Sequence, residues 1–340
     1  MPSEAAYPAS IRDVARLAGT SAATASRALR GSPSVADPTR DRVLRAAREL
    51  AYSLPSSPTA HARPIAVLSL SPVQWFYAEA IAAIEQALAA AGRQFVLFNV
   101  GHEAGRNHFF ERVAPTNQLD GLIMLPAPFD DRELTAIDRL GVPAVTVGQH
   151  MSPYPNAGID DRAAARLAVR HLIGLGHRDI GLISFDLDDP VGRALTADRR
   201  QGFESALTEA GVSVNPDWMV KAHDSRMNGG IAAAEHLLGL PSQPTALFAM
   251  SDELAIGALR TLGRAGITVP QRVSVIGFDD HEMAEFMDLT TIRQPVWQQA
   301  QEATRMLLEQ LGGTPGPSLD PASLSARLVI RGTTGPRPGR

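Results

Sequence analysis

Three hydroxyl side chains and one arginine lie within the seven residues from Ser21 to Arg27, near the start of the chain. Hydroxyls in such a stretch can bond phosphates or base edges, and an arginine is long enough to reach a phosphate or a guanine. The two adjacent alanines leave room only for small apolar contacts, such as one with a thymine methyl group. The candidate DNA contacts are Ser21, Ala22, Ala23, Thr24, Ser26 and Arg27.

Two short helices joined by a tight turn are predicted to carry these side chains. Ser10 begins the first helix and Gly19 ends it, and the second helix runs from Ser21 to about Leu29. A third helix is predicted to begin at Asp37 and Pro38, because the residues that follow form one apolar stripe. A helix-turn-helix places its second helix in the major groove of DNA, but a helical hairpin that docks on protein fits the same spacing.

Charge is distributed unevenly along the 340 residues, which carry a net charge of −4. Residues 1–63 contain nine arginines and five acidic residues, whereas the rest contains 23 basic and 31 acidic residues. A basic head on an acidic body indicates a polyanionic partner for the head alone. The chain has no cysteine, which excludes disulfides and thiolate sites and suits the cytoplasm. We expect no signal peptide and no membrane partner.

A change of composition separates the head from the remainder of the chain. The stretch SLPSSPTAHARP, residues 53–64, is rich in proline and serine and is predicted to be a linker. The predicted organisation is a helix-turn-helix domain over residues 1–52, this linker or degenerate hinge, a two-lobe effector-binding and dimerisation domain over residues 65–334, and a frayed tail over residues 335–340.

Short apolar runs alternate with helical stretches after residue 64. Such continuous apolar strands predict parallel sheets covered by helices on both faces, and their number predicts two doubly wound lobes with a cleft between them. The eight runs are IAVLSL (65–70), QFVLFN (94–99), GLIML (121–125), PAVTV (143–147), IGLIS (180–184), WMVKA (218–222), TALFAM (245–250) and VSVIGF (273–278).

The head sequence SIRDVARLAGTSAATASRALRGSPSV resembles that of the LacI/GalR family of bacterial transcription regulators, and the likeness extends over about residues 10–334. Blocks that resemble the family in order include HLIGLGHRDIGLIS, DRRQGFESAL, ALFAMSDELAIGALRTLGRAGITVP, VSVIGFDD, LTTIRQP and LVIRGTT. The resemblance implies a periplasmic-binding-protein-like core and a homodimer whose heads read a pseudo-palindromic double-stranded operator. It also implies repression controlled by a small-molecule effector, most simply a carbohydrate, with no cofactor and no metal.

Effector contacts are implied by matching this chain to the family's motifs. Arg199 matches the arginine of the R-x-x-G-F block, Asp279 matches the ligand-binding acid after a late strand, and the loop after the first strand holds Trp75 beside an aromatic pair. Ser251 and Asp252 also suit a helix N-terminus. The implied contacts are Gln74, Phe76, Tyr77, Leu125, Ile159, Arg199, Asp224, Ser251, Asp252 and Asp279.

Several positions depart from the family pattern. Leu125 is apolar where relatives are often small or polar, Asp224 falls where sugar-binding relatives often have an aromatic, and Gly148 falls where many have aspartate. An acid-rich cleft favours a polyhydroxy or cationic effector over a phosphorylated one. The linker contains Pro58 and has no leucine at the position where relatives insert one into the minor groove.

Three other classes of protein are weighed against the regulator. A solute-binding protein shares the two-lobe core, but it needs a signal peptide and carries no such head. An enzyme is disfavoured because the chain has no HExxH, G-x-S-x-G or Walker motif. A family member that senses its ligand but reads DNA weakly is the third alternative, because the linker departs from the family pattern.

Overall fold

The computed structural model describes residues 10–29, 32, 35–50, 52, 62–185, 190–312 and 324–339, with residues 190–195 described by their backbone alone. The chain divides into two compact units, Met1–Ala62 and Arg63–Arg340. Most of the predicted linker, residues 53–61, lies outside the described residues.

Three short helices form the first unit: α1 (Ile11–Leu17), α2 (Ala22–Leu29) and α3 (Asp37–Glu49). The backbone N–H and the hydroxyl of Ser10 both donate to the Asp13 carboxylate, at 3.0 and 2.6 Å, and so fix the start of α1. After α1 the chain turns at Gly19, whose φ of +64° lies in the left-handed region that glycine adopts without strain. Val14, Ala25 and Val43 meet in a small buried core, and the predicted helix-turn-helix is confirmed.

Lobe 1, the first half of the second unit, is built on five parallel strands in the order β2-β1-β3-β4-β5. Val67 in the central strand pairs with Leu97 on one side and Ile123 on the other. The strands are β1 (Ile65–Ser69), β2 (Phe95–Asn99), β3 (Gly121–Met124), β4 (Ala144–Val147) and β5 (Asn156–Ala157). The helices α4 (Trp75–Ala90), α5 (Glu103–Asn107) and α6 (Asp131–Arg139) belong to this lobe.

Lobe 2 contains a second sheet, ordered β11-β10-β9-β8-β6-β7, in which β11 alone of these strands runs antiparallel to its neighbour. Its strands are β6 (Ile180–Phe185), β7 (Met219–Ala222), β8 (Ala246–Ala249), β9 (Ser274–Asp279), β10 (Thr290–Arg293) and β11 (Arg327–Val329). Its helices are α7 (Asp161–Gly174), α8 (Pro190–Glu209), α9 (Met227–Leu238), α10 (Asp252–Arg264) and α11 (Glu282–Phe286). After β10, helix α12 (Val296–Gln310) returns to lobe 1 and packs in its core.

All eight strands expected from apolar runs are present, and the fold class is confirmed. Three further strands escaped sequence reasoning, because β5 and β11 are only two and three residues long and β10 carries two threonines and an arginine. The expectation of a frayed tail needs correction. The Gly335 carbonyl lies 3.0 Å from Nε2 of buried His177, and Arg337 donates to the Asp179 carboxylate at 2.7 Å, so both fasten the tail to lobe 2.

Candidate functional site

A cavity of about 740 Å³ opens between the two sheets of the second unit. Its wall follows the carboxyl ends of strands, where open α/β sheets bind ligands. Leu70 follows β1, Gly148 follows β4, Asp279 ends β9 and Gln294 follows β10. The remaining lining residues are Gln74, Trp75, Phe76, Tyr77, Pro126, Gln149, His150, Ile159, Asp160, Asp161, Arg162, Phe185, Asp198, Arg199, Ala222, His223, Asp224, Ser225, Ser251 and Glu253.

Arg199 is held rigidly at the cavity wall by contacts on several sides. Its Nε donates to Oδ1 of Asp161 at 2.7 Å, and its Nη1 donates to the carbonyl oxygen of Met250 at 2.6 Å. The guanidinium carbon lies 3.7 Å from the centre of the Phe278 ring, a cation–π distance. Because these contacts fix the Arg199 rotamer before any ligand binds, its planar guanidinium can bind ligand oxygens with little loss of conformational entropy.

Asp279 lies opposite this guanidinium, with its Oδ1 3.9 Å from Nη1 of Arg199. Gln294 Nε2 donates to the same oxygen at 2.5 Å. Burial raises the pKa of Asp279 to about 8, although Arg199 acts in the opposite direction. A buried carboxyl of this kind needs hydrogen-bonding partners, and ligand hydroxyls can supply them.

Aromatic rings form the facing part of the wall. The rings of Phe76 and Tyr77 meet edge to face with their centres 5.5 Å apart. The Tyr77 hydroxyl is already used, because it donates to the carbonyl oxygen of Pro126 at 2.8 Å. A Cβ at Gly148 would lie 3.0 Å from Cζ of Phe76, so the glycine leaves room for the ring. Phe76 therefore offers a flat apolar surface to a ligand.

The N-terminal end of α4 reaches across the cavity to lobe 2. Gln74 Nε2 donates to the Ser225 hydroxyl at 2.5 Å. The next side chain, Trp75, lies against His281 with the ring centres 5.5 Å apart. These two contacts join the lobes at the cavity.

Eight of the ten effector contacts expected from the sequence line the cavity: Gln74, Phe76, Tyr77, Ile159, Arg199, Asp224, Ser251 and Asp279. Ser251 also caps α10, since its hydroxyl accepts a hydrogen bond from the Leu254 N–H at 3.3 Å. Asp224 accepts a bond from the Arg226 N–H at 3.0 Å.

The other two expected contacts, Leu125 and Asp252, are corrected because the structure puts them behind the wall. Leu125 continues the β3 ladder through a bond to the Leu68 carbonyl and is fully buried in the lobe 1 core. Asp252 is fully buried too, and its carboxylate faces Thr291 and the backbone of His281 instead of the cavity.

Several lining residues were missed by sequence reasoning. Gln149, Phe185 and His223 stand at or just after strands that the sequence did predict, so inspecting every strand end would have found them. Gln294 had no such signal because β10 was not predicted. Asp161 was missed because it begins α7, where the chain crosses from one lobe to the other.

The exposed side of α2 forms a second candidate site, in the first unit. Ser21, Ala22, Ala23 and Arg27 are exposed, and Thr24 and Ser26 are half-buried. The Ser21 hydroxyl caps the helix by accepting from the Thr24 N–H at 3.1 Å. The six predicted DNA contacts therefore run along α2, from Ser21 just before its first residue to Arg27 in its last turn. Small side chains at its N-terminal end allow close approach.

Comparison with known families covers both units. The profile described as bacterial regulatory proteins, lacI family, matches residues 10–55, and that described as a periplasmic binding protein-like domain matches residues 169–334. The HTH-type transcriptional repressor CytR of Escherichia coli (strain K12) is 34% identical over 338 residues, covering 96% of each chain. The chain belongs to the lacI family of transcriptional regulators.

Solved structures of lacI-family regulators agree with this assignment. A lac repressor dimer bound to operator and the anti-inducer ONPF is 26% identical, with a TM-score of 0.79 over 97% of this chain and 100% of that one. A complex of the transcriptional regulator CelR with cellobiose is 29% identical, with a TM-score of 0.68 over 96% of this chain and 99% of that one. The predicted family, fold and function are thus confirmed: this lacI-family chain is a DNA-binding transcriptional regulator with an effector-binding core.

No three His, Asp or Glu side chains within the described ranges are grouped so as to hold a metal ion. None of the helices described is both long enough and apolar enough to cross a membrane. The curated relative CytR is a transcriptional repressor, a class of protein that is not enzymatic.

Proposed function

We propose that this lacI-family chain is a homodimeric, non-enzymatic repressor of the bacterial cytoplasm, where its operator DNA lies. Its effector is an uncharged ring compound rich in hydroxyls, most simply a sugar. The observation that carries the proposed effector class is the charge of the cavity wall. Six acidic side chains line it, against two arginines.

Both lining arginines are already paired with lining acids. Arg199 pairs with Asp161 at 2.7 Å, and Arg162 pairs with Asp198 at 3.0 Å. A phosphorylated or carboxylated effector would meet acids that remain unneutralised and would have to break one of these pairs. Hydroxyl groups instead donate to Asp279 and accept from Arg199 without bringing charge. The CelR complex with cellobiose supports the same class of ligand.

Melting of the full-length protein tests the effector class, with cellobiose and ribose compared with glucose 6-phosphate. A ligand that binds only the folded state stabilises it by about 2.7 kcal/mol at 100 times its Kd. We expect a neutral sugar to raise the melting temperature and the phosphorylated sugar to leave it unchanged. A larger rise with glucose 6-phosphate than with either neutral sugar would contradict the proposal.

Operator reading is proposed for the exposed side of α2. If Arg27 contacts a base, Arg27→Ala weakens binding to DNA from upstream of the chain's own gene by about 1–3 kcal/mol, with a much smaller effect on scrambled DNA. Fluorescence anisotropy at two salt concentrations measures both affinities. Arg45→Ala is the matched control, because it removes one exposed charge from α3. An equal loss on both DNAs for Arg27→Ala would mean a phosphate contact only.

Homodimerisation is supported by an exposed apolar patch on lobe 2. Phe286 is 81% exposed, Ile330 is 64% exposed, and Met283 and Met287 are also exposed. The Gly332 N–H donates to the carbonyl oxygen of Asp288 at 2.9 Å, so the chain beyond β11 runs beside the end of α11. Patches of this kind mark interaction sites, and two half-sites on DNA need two heads. Sedimentation equilibrium should give the mass of two chains.

A further inference from the structure

The backbone turns sharply where β9 reaches the cavity. Asp279 has a φ of +124° and Asp280 a φ of +62°, so two consecutive residues with side chains occupy a region that favours glycine. Such conformations are unfavourable for residues with a side chain and persist only when the surroundings impose them. Some contact must therefore hold this turn.

The carboxylate of Asp252 lies directly behind the turn. Its Oδ2 accepts a hydrogen bond from the backbone N–H of His281 at 2.8 Å, and its Oδ1 accepts one from the Thr291 hydroxyl at 2.6 Å. Asp252 is fully buried and is the first residue of α10, so its own position is fixed by that helix. It thereby ties α10 and β10 to the turn.

The neighbouring strand is shaped to admit this carboxylate. A Cβ at Gly277 in β9 would lie 2.0 Å from Oδ1 of Asp252, so a side chain at position 277 would displace the carboxylate. Beyond the turn, the carboxylate of Asp280 accepts bonds from Arg331 at 2.8 Å and from Arg293 at 2.5 Å. Asp280 is thus drawn to these arginines, whereas Asp279 lines the cavity beside Gln294.

We propose that Asp252 is a positioning residue: with Thr291 it holds the strained turn and so aims Asp279 at the effector. The inference rests on the proposed effector site. Asp252 does not line the cavity, but the orientation of Asp279 in the cavity depends on it.

Hydrogen exchange of the full-length protein tests the hold on the turn without requiring any ligand. Asp252→Asn keeps the size of the side chain but replaces one of its two acceptor oxygens by an NH₂ group. Thr291→Val removes the hydroxyl that orients the Asp252 carboxylate. We expect Asp252→Asn to speed exchange in the peptide over residues 278–284 by roughly tenfold, the equivalent of one lost hydrogen bond. Thr291→Val should give a smaller increase, and Thr291→Ser should restore the wild-type rate.

The matched control is Thr261→Val, on the same helix as Asp252. The Thr261 hydroxyl is also buried but donates to the carbonyl oxygen of Ile231 in α9, so its loss should leave residues 278–284 unchanged. An unchanged rate over residues 278–284 in Asp252→Asn, or an equal increase in Thr261→Val, would overturn the proposal. If Asp252→Asn fails to fold, Thr291→Val and Thr291→Ser decide the outcome.

Melting shifts with cellobiose and ribose separate this inference from the proposed effector class. If a sugar stabilises the wild type, Asp252→Asn should lose most of that shift and Thr261→Val should keep it. If the sugar shift persists in Asp252→Asn although the turn exchanges faster, Asp252 does not position Asp279 and the proposal falls. If no neutral sugar stabilises the wild type, the effector class fails, while the exchange rates still decide whether Asp252 holds the turn.

Discussion

The two lobes contribute different chemistry to the one cavity. All eight acidic and arginine side chains that line it belong to lobe 2, including Arg199 and Asp279. The lobe 1 wall presents Trp75, Phe76 and Tyr77 together with neutral side chains such as Gln149. One wall is therefore suited to hydrogen bonds and the other to flat apolar contact.

This difference indicates the shape of the ligand. A sugar ring has hydroxyls around its edge and C–H bonds on its faces, so it can direct its edge to lobe 2 and a face to Phe76. Each lobe alone would bind half of such a ligand. Closing the lobes around it would therefore favour one arrangement of the core over others, as ligand control requires.

The largest effect is expected from removing the central cation of the lobe 2 wall. Arg199→Ala removes the guanidinium group that would bind ligand hydroxyls, and it leaves Asp161 and Asp279 without their shared partner. The melting shift with a neutral sugar should therefore disappear. Arg200→Ala is the matched control, because Arg200 is an exposed neighbour that pairs with Glu204. Operator binding without ligand should survive both changes. Its loss in Arg199→Ala would indicate general damage to the fold.

A smaller effect is expected from the lobe 1 wall. Phe76→Ala removes the flat surface but no hydrogen bond, so sugar affinity measured by calorimetry should fall by about tenfold. Phe110→Ala provides the comparison, since Phe110 packs with Phe109 and Phe129 in the same lobe away from the cavity. If Phe76→Ala binds as tightly as the wild type, lobe 1 does not stack on the ligand.

A pH dependence should belong to the lobe 2 wall. Because the pKa of Asp279 is raised to about 8, raising the pH from about 7 to 9 ionises a carboxyl that accepts ligand hydroxyls, and sugar affinity should increase severalfold. Asp279→Asn should bind more weakly and show no such rise. Phe76→Ala should keep the wild-type slope, and an unchanged slope in Asp279→Asn would assign the titration to another group.

Site residues that belong to local sequence motifs could be predicted, whereas those that depend on contacts between distant residues could not. The motif around Arg199 and the strand before Asp279 are local in sequence, so both residues could be identified as lining the cavity. Leu125 and Asp252 were misjudged because one residue of register separates a side chain that enters a core from one that enters a cleft. Asp252 contacts Thr291, 39 positions away, and His281, 29 positions away, which no local pattern reveals.

The fold could be predicted further than the site. Eight continuous apolar runs indicate parallel strands because both faces of such strands are buried, and the structure bears this out in β1, β3, β4, β8 and β9. The return of α12 to lobe 1 could not be foreseen, because an amphipathic helix does not specify which core it joins. The tail was misjudged because its anchoring depends on His177, far away in sequence.

The smallest expected effect concerns stability in acid, and it again distinguishes the lobes. In lobe 2, His177 is buried between Thr245, Ser274 and Gly335, and burial lowers its pKa. Its folded pKa lies below the unfolded value of about 6.5, so this contribution to stability is complete above about pH 6.5 and is lost as the pH falls. His177→Gln should therefore flatten the decline of melting temperature in acid.

The lobe 1 residue His150 supplies the control for this change. His150 is exposed whereas His177 is buried, so His150→Gln should keep the wild-type decline of melting temperature in acid. Melting temperatures between about pH 5 and 8 make the comparison. If both variants flattened the decline of melting temperature equally, the acid sensitivity would not be specific to the hydrogen bond between His177 and the Gly335 carbonyl.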